Sequence, residues 1–216
     1  MAVVGFLHTS DVHVATFRAL LAEQAPNLEA VDAVDQTLLI DAQARGVDDD
    51  IRQRLQAKLC ALRDRGSAVV VCTCSTLSAA AERLAYSVGV PVVRIDRPMA
   101  ERAAAIGGRI AVVVAVQSTL APTRELLTQC IDESPSEGVL IEAPCLDAWA
   151  LFEAGDTTGY VDRIAAHVRR MAEHADVVVL AQASMAAAAD QLCDLAVPVL
   201  CSPAIAVQAA AMLAQY

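Results

Sequence analysis

The chain nearly repeats itself. "VVVCTCSTLSAAAERL" (69–84) can be laid over "VVVLAQASMAAAADQL" (177–192) at an offset of 108 residues. Valines meet valines, the alanine-rich stretches coincide, and Glu82 falls on Asp190. After a one-residue gap, "VPVV" (90–93) meets "VPVL" (197–200), and "RALL" (18–21) echoes "RELL" (124–127) more weakly. The preserved order of valine strand, polar turn, alanine helix and Val-Pro-Val strand implies two similar βα halves. They are joined near residues 96–109 and related by an approximate two-fold. The same alignment sets Cys74 opposite Gln182 in the repeat.

Apolar runs alternate with helical patterns in both halves. The strands expected in the first are "AVVGFL" (2–7), "TLLI" (37–40), "AVVVCT" (68–73) and "PVVRI" (91–95). In the second they are "IAVVVAV" (110–116), "GVLIE" (138–142), "DVVVLA" (176–181) and "VPVLC" (197–201). Near-continuous Val, Leu and Ile suits parallel strands covered on both faces. Ile51, Leu55, Leu59 and Leu62 fall on one helical face, as do Val161, Ile164, Val168 and Met171. "DESPSEG" (132–138) and "AGDTTG" (154–159) read as loops. The expected fold is α/β, with two pseudo-symmetric flavodoxin-like βα lobes, each holding a parallel four-stranded sheet. Lobe 1 is expected at 1–96 plus a C-terminal helix at 204–216, and lobe 2 at 97–203.

A formal net charge of −10 disfavours nonspecific nucleic-acid binding. No apolar run reaches the roughly 18 residues that span a membrane, and the N-terminus lacks the basic and apolar regions of a signal peptide. The seven cysteines are odd in number and none forms C-x-x-C, which fits reduced thiols in a cytoplasmic protein rather than a metal finger. Aromatics are 3% of the chain, so a small polar substrate suits it better than a large aromatic-lined pocket would.

In parallel α/β sheets ligands bind beyond the carboxyl ends of strands. Four such ends are polar here: "HTSD" (8–11), "CTCSTLS" (72–78), "QST" (117–119) and "AQAS" (181–184). Each precedes a helical pattern, whose first N–H groups and positive dipole end suit an anion. No G-x-G-x-x-G or Walker loop is present, so the anion is read as a carboxylate. Ser75, Thr76, Ser78, Thr119 and Ser184 add hydroxyls. Cys74 sits where strand gives way to helix, a position that favours thiolate and so a base or nucleophile. Cys72, two residues deeper, reads as a small core residue.

"CSTLSA" (74–79) after a valine strand resembles the first catalytic loop of the aspartate/glutamate racemase superfamily, which includes hydantoin racemases, maleate isomerase and arylmalonate decarboxylase. The resemblance runs over nearly the whole chain, through the "HTS" turn, "AGD" before a long helix, and "VPVLCSP" near the end. It implies a site in the cleft between lobes, no metal and no organic cofactor, a small carboxylate or amino-acid-like substrate, and a possible homodimer. It implies that Cys74 is the first catalytic cysteine, with Ser75 and Thr76 binding carboxylate. The second cysteine normally lies in a Gly-Cys-Thr turn, which is Ala181-Gln182-Ala183 here. The resemblance therefore leaves three readings open: racemase or isomerase, single-cysteine decarboxylase or lyase, and non-catalytic carboxylate binder.

His8 is a candidate acid or base, or a histidine hydrogen-bonded at a strand end. Thr9, Ser10, Ser118, Thr119, Gln182, Ser184 and Ser202 are candidate substrate contacts; Ser202 could equally cap a helix before Pro203. Asp11 is expected to cap the first helix. "HTSDVH" lacks a second ligand cluster, so no metal site is expected there. Cys60, Cys130 and Cys193 read as packing residues, and Cys201 ends the last strand. Cys145 has no motif around it. Trp149 and Phe152 pack or form a lid. Arg94, Arg97 and Arg124 read as surface charges, with Arg97 a weak candidate for an anion contact.

Overall fold

A computed structural model of the chain describes residues 1–215. The first unit, Met1–Ile95 and the segment from Pro203, opens with β1 (Val3–His8), α1 (Val12–Gln24), β2 (Glu29–Val34), α2 (Gln36–Arg45) and α3 (Asp49–Asp64). It continues through β3 (Ser67–Cys72), α4 (Ser75–Arg83), α5 (Ala85–Val88) and β4 (Val92–Arg94). The second unit, Asp96–Ser202, holds α6 (Arg97–Ile106), β5 (Gly108–Val114), α7 (Gln117–Glu133), β6 (Gly138–Pro144) and α8 (Trp149–Glu153). Then come α9 (Thr157–Ala172), β7 (Val177–Leu180), α10 (Ala186–Asp190) and β8 (Val199–Cys201). A last helix, α11 (Ser202–Leu213), returns the chain to the first unit. Residue 216, the end of the expected C-terminal helix, lies outside the described residues.

Each unit carries one four-stranded sheet, in order β2-β1-β3-β4 and β6-β5-β7-β8, with every pair parallel. The two orders are the same under the sequence repeat, so the α/β reading with two parallel four-stranded sheets holds.

One strand was misplaced by the apolar-run criterion. "TLLI" lies in α2, and the second strand is "EAVDAV" (29–34). Asp35 starts α2 by accepting from the Thr37 N–H at 3.1 Å, and Leu38 and Ala42, four apart, supply its buried stripe. Ile40 from the same run is 61% exposed. The two expected loops are also shorter. α7 runs to Glu133, and α9 begins at Thr157 because Asp156 accepts from the Gly159 N–H at 2.9 Å.

Strand alternation sorts the first unit's core into two layers. Val4, Phe6, Val69 and Val71 face α1 and α11, meeting Phe17, Leu21, Ala206, Val207 and Ala210. Leu7, Val70, Cys72 and Cys74 face α3 and α4, meeting Ile51, Leu55, Leu59, Leu62 and Leu77. The four α3 residues are fully buried, each contributing about 1.5–3 kcal/mol relative to exposure. In the second unit Ala111, Val113, Val178 and Leu180 pack on Tyr160, Ile164 and Val168 of α9. Val161 is buried too, while Met171 only flanks this core.

Candidate active site

In each sheet the switch in strand order falls at the same place. From β1 the chain crosses to β2 on one side, while β3 lies on the other. The connections leaving β1 and β3 therefore diverge at their carboxyl ends, which is where open α/β sheets leave room for a ligand. In the first unit those ends carry His8-Thr9-Ser10 and Thr73-Cys74-Ser75-Thr76. In the second, the equivalent ends are Ala115 to Thr119 and Ala181 to Ser184.

Cys74 is the N-cap residue of α4, with extended backbone (φ −103°, ψ 113°). Its carbonyl accepts from the N–H groups of Leu77 at 3.1 Å and Ser78 at 2.9 Å, which closes the first turn. The preceding N–H groups, those of Ser75 and Thr76, open the helix and have no intrahelical acceptor by its geometry. Ser75 is half-buried and Thr76 exposed, so hydroxyls and amide donors share one end of a nine-residue helix. Cys74 itself is 7% exposed. Cys72 is wholly enclosed, its thiol 3.8 Å from the Cys74 carbonyl oxygen. Ser78 turns inward instead of toward solvent: its hydroxyl donates to the Cys72 carbonyl at 3.0 Å and accepts from the Ile95 N–H. It braces the turn and does not extend the hydroxyl cluster.

His8 meets this turn from β1. It is 0% exposed, with Nδ1 2.9 Å from Thr73 Oγ1 and Nε2 3.0 Å from Asp32 Oδ1. The second Asp32 oxygen accepts from Arg18 Nε at 2.6 Å. Burial pulls the His8 pKa below its ordinary value, and the Asp32 carboxylate opposes that without reversing it. Thr9 is buried and Ser10 half-buried at the mouth of the same strand. Asp11 occupies the N-cap position of α1 but makes no side-chain cap; its carboxylate accepts from Gln36 Nε2 at 3.4 Å. An N-cap in helical φ/ψ does not aim its side chain at the following amides.

In the second unit Gln182 is committed to its own fold. Its Oε1 accepts from the Ala115 N–H at 2.6 Å and the Val116 N–H at 3.1 Å, tying the end of β7 to the turn before α7. Thr119 donates its N–H to the Val116 carbonyl in that turn, and Ser118 is exposed beside it. The Ser184 hydroxyl lies 2.9 Å from Tyr160 Oη, with Tyr160 buried. Ser202 is buried at the start of α11. Trp149 and Phe152 stack at 4.8 Å, and Phe152 tilts onto Tyr160 at 5.2 Å.

Asp32, Arg18, Thr73 and Tyr160 were not singled out from the sequence. Arg94 is no surface charge: it is 6% exposed, ending β4 with Nη1 3.8 Å from Glu82 of α4. Arg124 pairs with Glu142 on the surface. The Cys145 thiol is pushed up to about 11 by burial and by Asp147, which leaves it protonated near neutral pH. Burial raises Cys201 as well. Among the described residues no group of three or more His, Cys, Asp or Glu is arranged to hold a metal ion. No helix among them is long and apolar enough to cross a membrane.

Solved structures share this architecture. A candidate Asp/Glu racemase from Yersinia pestis superposes with a TM-score of 0.76 at 16% identity, covering 100% of both chains. The aspartate racemase of Picrophilus torridus gives 0.74 at 13% identity, covering 100% of this chain and 95% of its own. Unliganded arylmalonate decarboxylase gives 0.62 at 18% identity, covering 99% and 93%. At such identities these likenesses speak for the fold. No curated protein sequence matches the chain. The family model for Asp/Glu/hydantoin racemase matches residues 8–210, from the end of β1 into α11. The chain belongs to the Asp/Glu/hydantoin racemase family.

Proposed function

We propose that this protein catalyses proton transfer at the carbon α to a carboxylate of a small acid, with Cys74 as the acid/base and without an organic cofactor. The observation that carries the reading is the position of Cys74, a thiol at the N-cap of α4 and at the strand-order switch. In this reading the Ser75 and Thr76 amides and hydroxyls receive the substrate carboxylate. They also stabilise the negative charge that develops on it as the α-carbon becomes carbanion-like. Racemase or isomerase is the family-level description.

Gln182 favours a one-thiol outcome. It stands where the repeat would place a second thiol, and a carboxamide does not transfer protons near neutral pH. Its oxygen is already held by two backbone N–H groups. With one thiol, a malonate-type acid would lose carbon dioxide, and the electron pair left on carbon would take the Cys74 proton from one side. Solvent would then reprotonate the thiolate. The arylmalonate decarboxylase likeness of the fold agrees with this second reading.

The test is turnover in deuterium oxide with a panel of small α-substituted mono- and dicarboxylates. Racemisation exchanges the α-proton with loss of optical activity. One-thiol decarboxylation releases carbon dioxide and gives one enantiomer of deuterated product. A carboxylate-binding protein does neither. Full turnover of an identified substrate by Cys74→Ser would exclude the assigned role of the thiol.

A further inference from the structure

We propose that His8 is a positioning residue for the Cys74 turn: held by Asp32, it fixes Thr73, and through Thr73 the strand end that carries the thiol. The proposal assigns His8 no contact with substrate. It rests on the reading of Cys74 as the reacting group only for its effect on catalysis, not for the positioning itself.

The geometry is a chain of four links. Arg18 Nε donates to Asp32 Oδ2 at 2.6 Å, and Asp32 Oδ1 lies 3.0 Å from His8 Nε2. His8 Nδ1 lies 2.9 Å from Thr73 Oγ1, which is also 3.1 Å from the Leu7 carbonyl oxygen. A carboxylate only accepts, so Nε2 carries a proton toward Asp32. In neutral His8 that leaves Nδ1 as an acceptor, and the Thr73 hydroxyl donates to it. Thr73 also donates its backbone N–H to the Leu7 carbonyl at 3.0 Å. Backbone and side chain of one residue thus bind β3 to β1 just beyond their last strand pair, Leu7 with Cys72. The next peptide is that of Cys74.

The arrangement also tolerates a proton. In protonated His8, Nδ1–H would donate to Thr73 Oγ1, and the hydroxyl would turn its proton to the Leu7 carbonyl, already in reach. Neither state strands a buried donor. The charged or titratable groups facing His8 are Asp32 from β2, Arg18 and His13 from α1, and Asp11 just before it. Phe6 stacks on the ring and Phe17 tilts against it, with centroids 5.9 Å and 5.5 Å away. The ring is therefore buried, packed beside two aromatic rings and hydrogen-bonded at both nitrogens, which suits fixing a loop rather than exchanging protons with a ligand.

The experiment reads the turn directly. Leu77 and Ser78 donate their amides to the Cys74 carbonyl, so their hydrogen exchange reports its placement. Thr73→Val, which removes the hydroxyl at nearly constant shape, should raise exchange at Leu77 and Ser78 about tenfold, the loss expected for one hydrogen bond. The α7 amides of Leu126 and Leu127 should be unchanged. Thr73→Ser should restore protection. His8→Asn, whose amide oxygen can stand in for Nδ1, should stay within about threefold of the parent, whereas His8→Leu should match Thr73→Val. Alkylation of Cys74 by iodoacetamide, resolved by peptide mass, should change about tenfold in the same two variants, because reaction rates follow placement of the reacting atom. Unchanged exchange in both Thr73→Val and His8→Leu would overturn the proposal, as would failure of Thr73→Ser to rescue. If Cys74 in the parent protein alkylates no faster than Cys72, the proposed catalytic role fails, while the exchange data still decide the positioning.

Discussion

Replacing Gln182 tests how much the second unit depends on a side chain where the repeat would place a thiol. In Gln182→Ala the N–H groups of Ala115 and Val116 lose their acceptor. Ala115 is buried and Val116 half-buried, so water reaches the second more readily than the first. An unsatisfied buried donor costs about 1–3 kcal/mol, and a partly hydrated one falls at the low end. The expected loss is about 2–4 kcal/mol. In a chain of this size about 1 kcal/mol moves the melting midpoint by roughly 2–4 °C, so a fall of about 4–16 °C is expected. Gln182→Glu separates the acceptor from the amide donor. It keeps an oxygen facing both N–H groups and strengthens the bonds with charge. It should therefore be at least as stable as the parent near neutral pH. Those bonds would hold the new carboxyl below its ordinary pKa. Its added stability would be present above about pH 4.3 and lost as the pH falls through the folded-state value. Differential scanning fluorimetry and urea unfolding from about pH 3 to 8 measure both variants. Equal destabilisation in Gln182→Ala and Gln182→Glu, or none in either, would refute the assignment of Oε1 as a backbone strut.

Three further outcomes follow from the same structure. Cys74→Ser should lower turnover at least about a hundredfold, the low end for losing a general acid or base, while Cys72→Ala should act mainly through stability. Single-turnover kinetics and thermal melts on the two variants separate these effects. Cys145, held near pKa 11, should alkylate far more slowly around neutral pH than exposed Cys193, as read by peptide mass mapping. His8, His13 and His167 all lie below the ordinary 6.5, with burial the leading cause. Folded histidines with depressed pKa values refuse protons that the unfolded chain accepts. Stability should thus be full above about pH 6.5 and fall as the pH drops below it, with a smaller fall in His8→Asn. Urea midpoints across that range measure the slope.

The fold was legible because its inner strands are covered on both faces. Val69 to Val71 and Val177 to Val179 can only be valine runs if helices lie above and below them. The edge strand β2 obeys another rule. It pairs only with β1 and has no fully buried residue, so acids at Glu29 and Asp32 interrupt its small apolar residues. A search for apolar runs passed over it and took the helical "TLLI" in its place. That error also hid the partner of His8, because Asp32 lies on the missed strand. An acid inside a short Ala-Val segment, on the strand beside the one that ends in a histidine, was the signal available. The turn at Cys74 was readable from a strand boundary followed by hydroxyls. The clamp made by Gln182 was not, since it joins residues 67 apart whose proximity depends on the pairing of β5 with β7.

The return of α11 to the first unit sets an order of assembly. Ala206, Val207 and Ala210 cover the face made by Val4, Phe6, Val69 and Val71, yet they follow the whole of the second unit in the chain. During synthesis the earlier-made unit must wait with that apolar face covered by α1 alone, while the later-made unit has everything its own core requires. Domains usually mature in the order they are made. Here the second unit is free to finish first, and the unit that carries Cys74 closes last. Until α11 docks, the part of that face under Ala206, Val207 and Ala210 stays open to water.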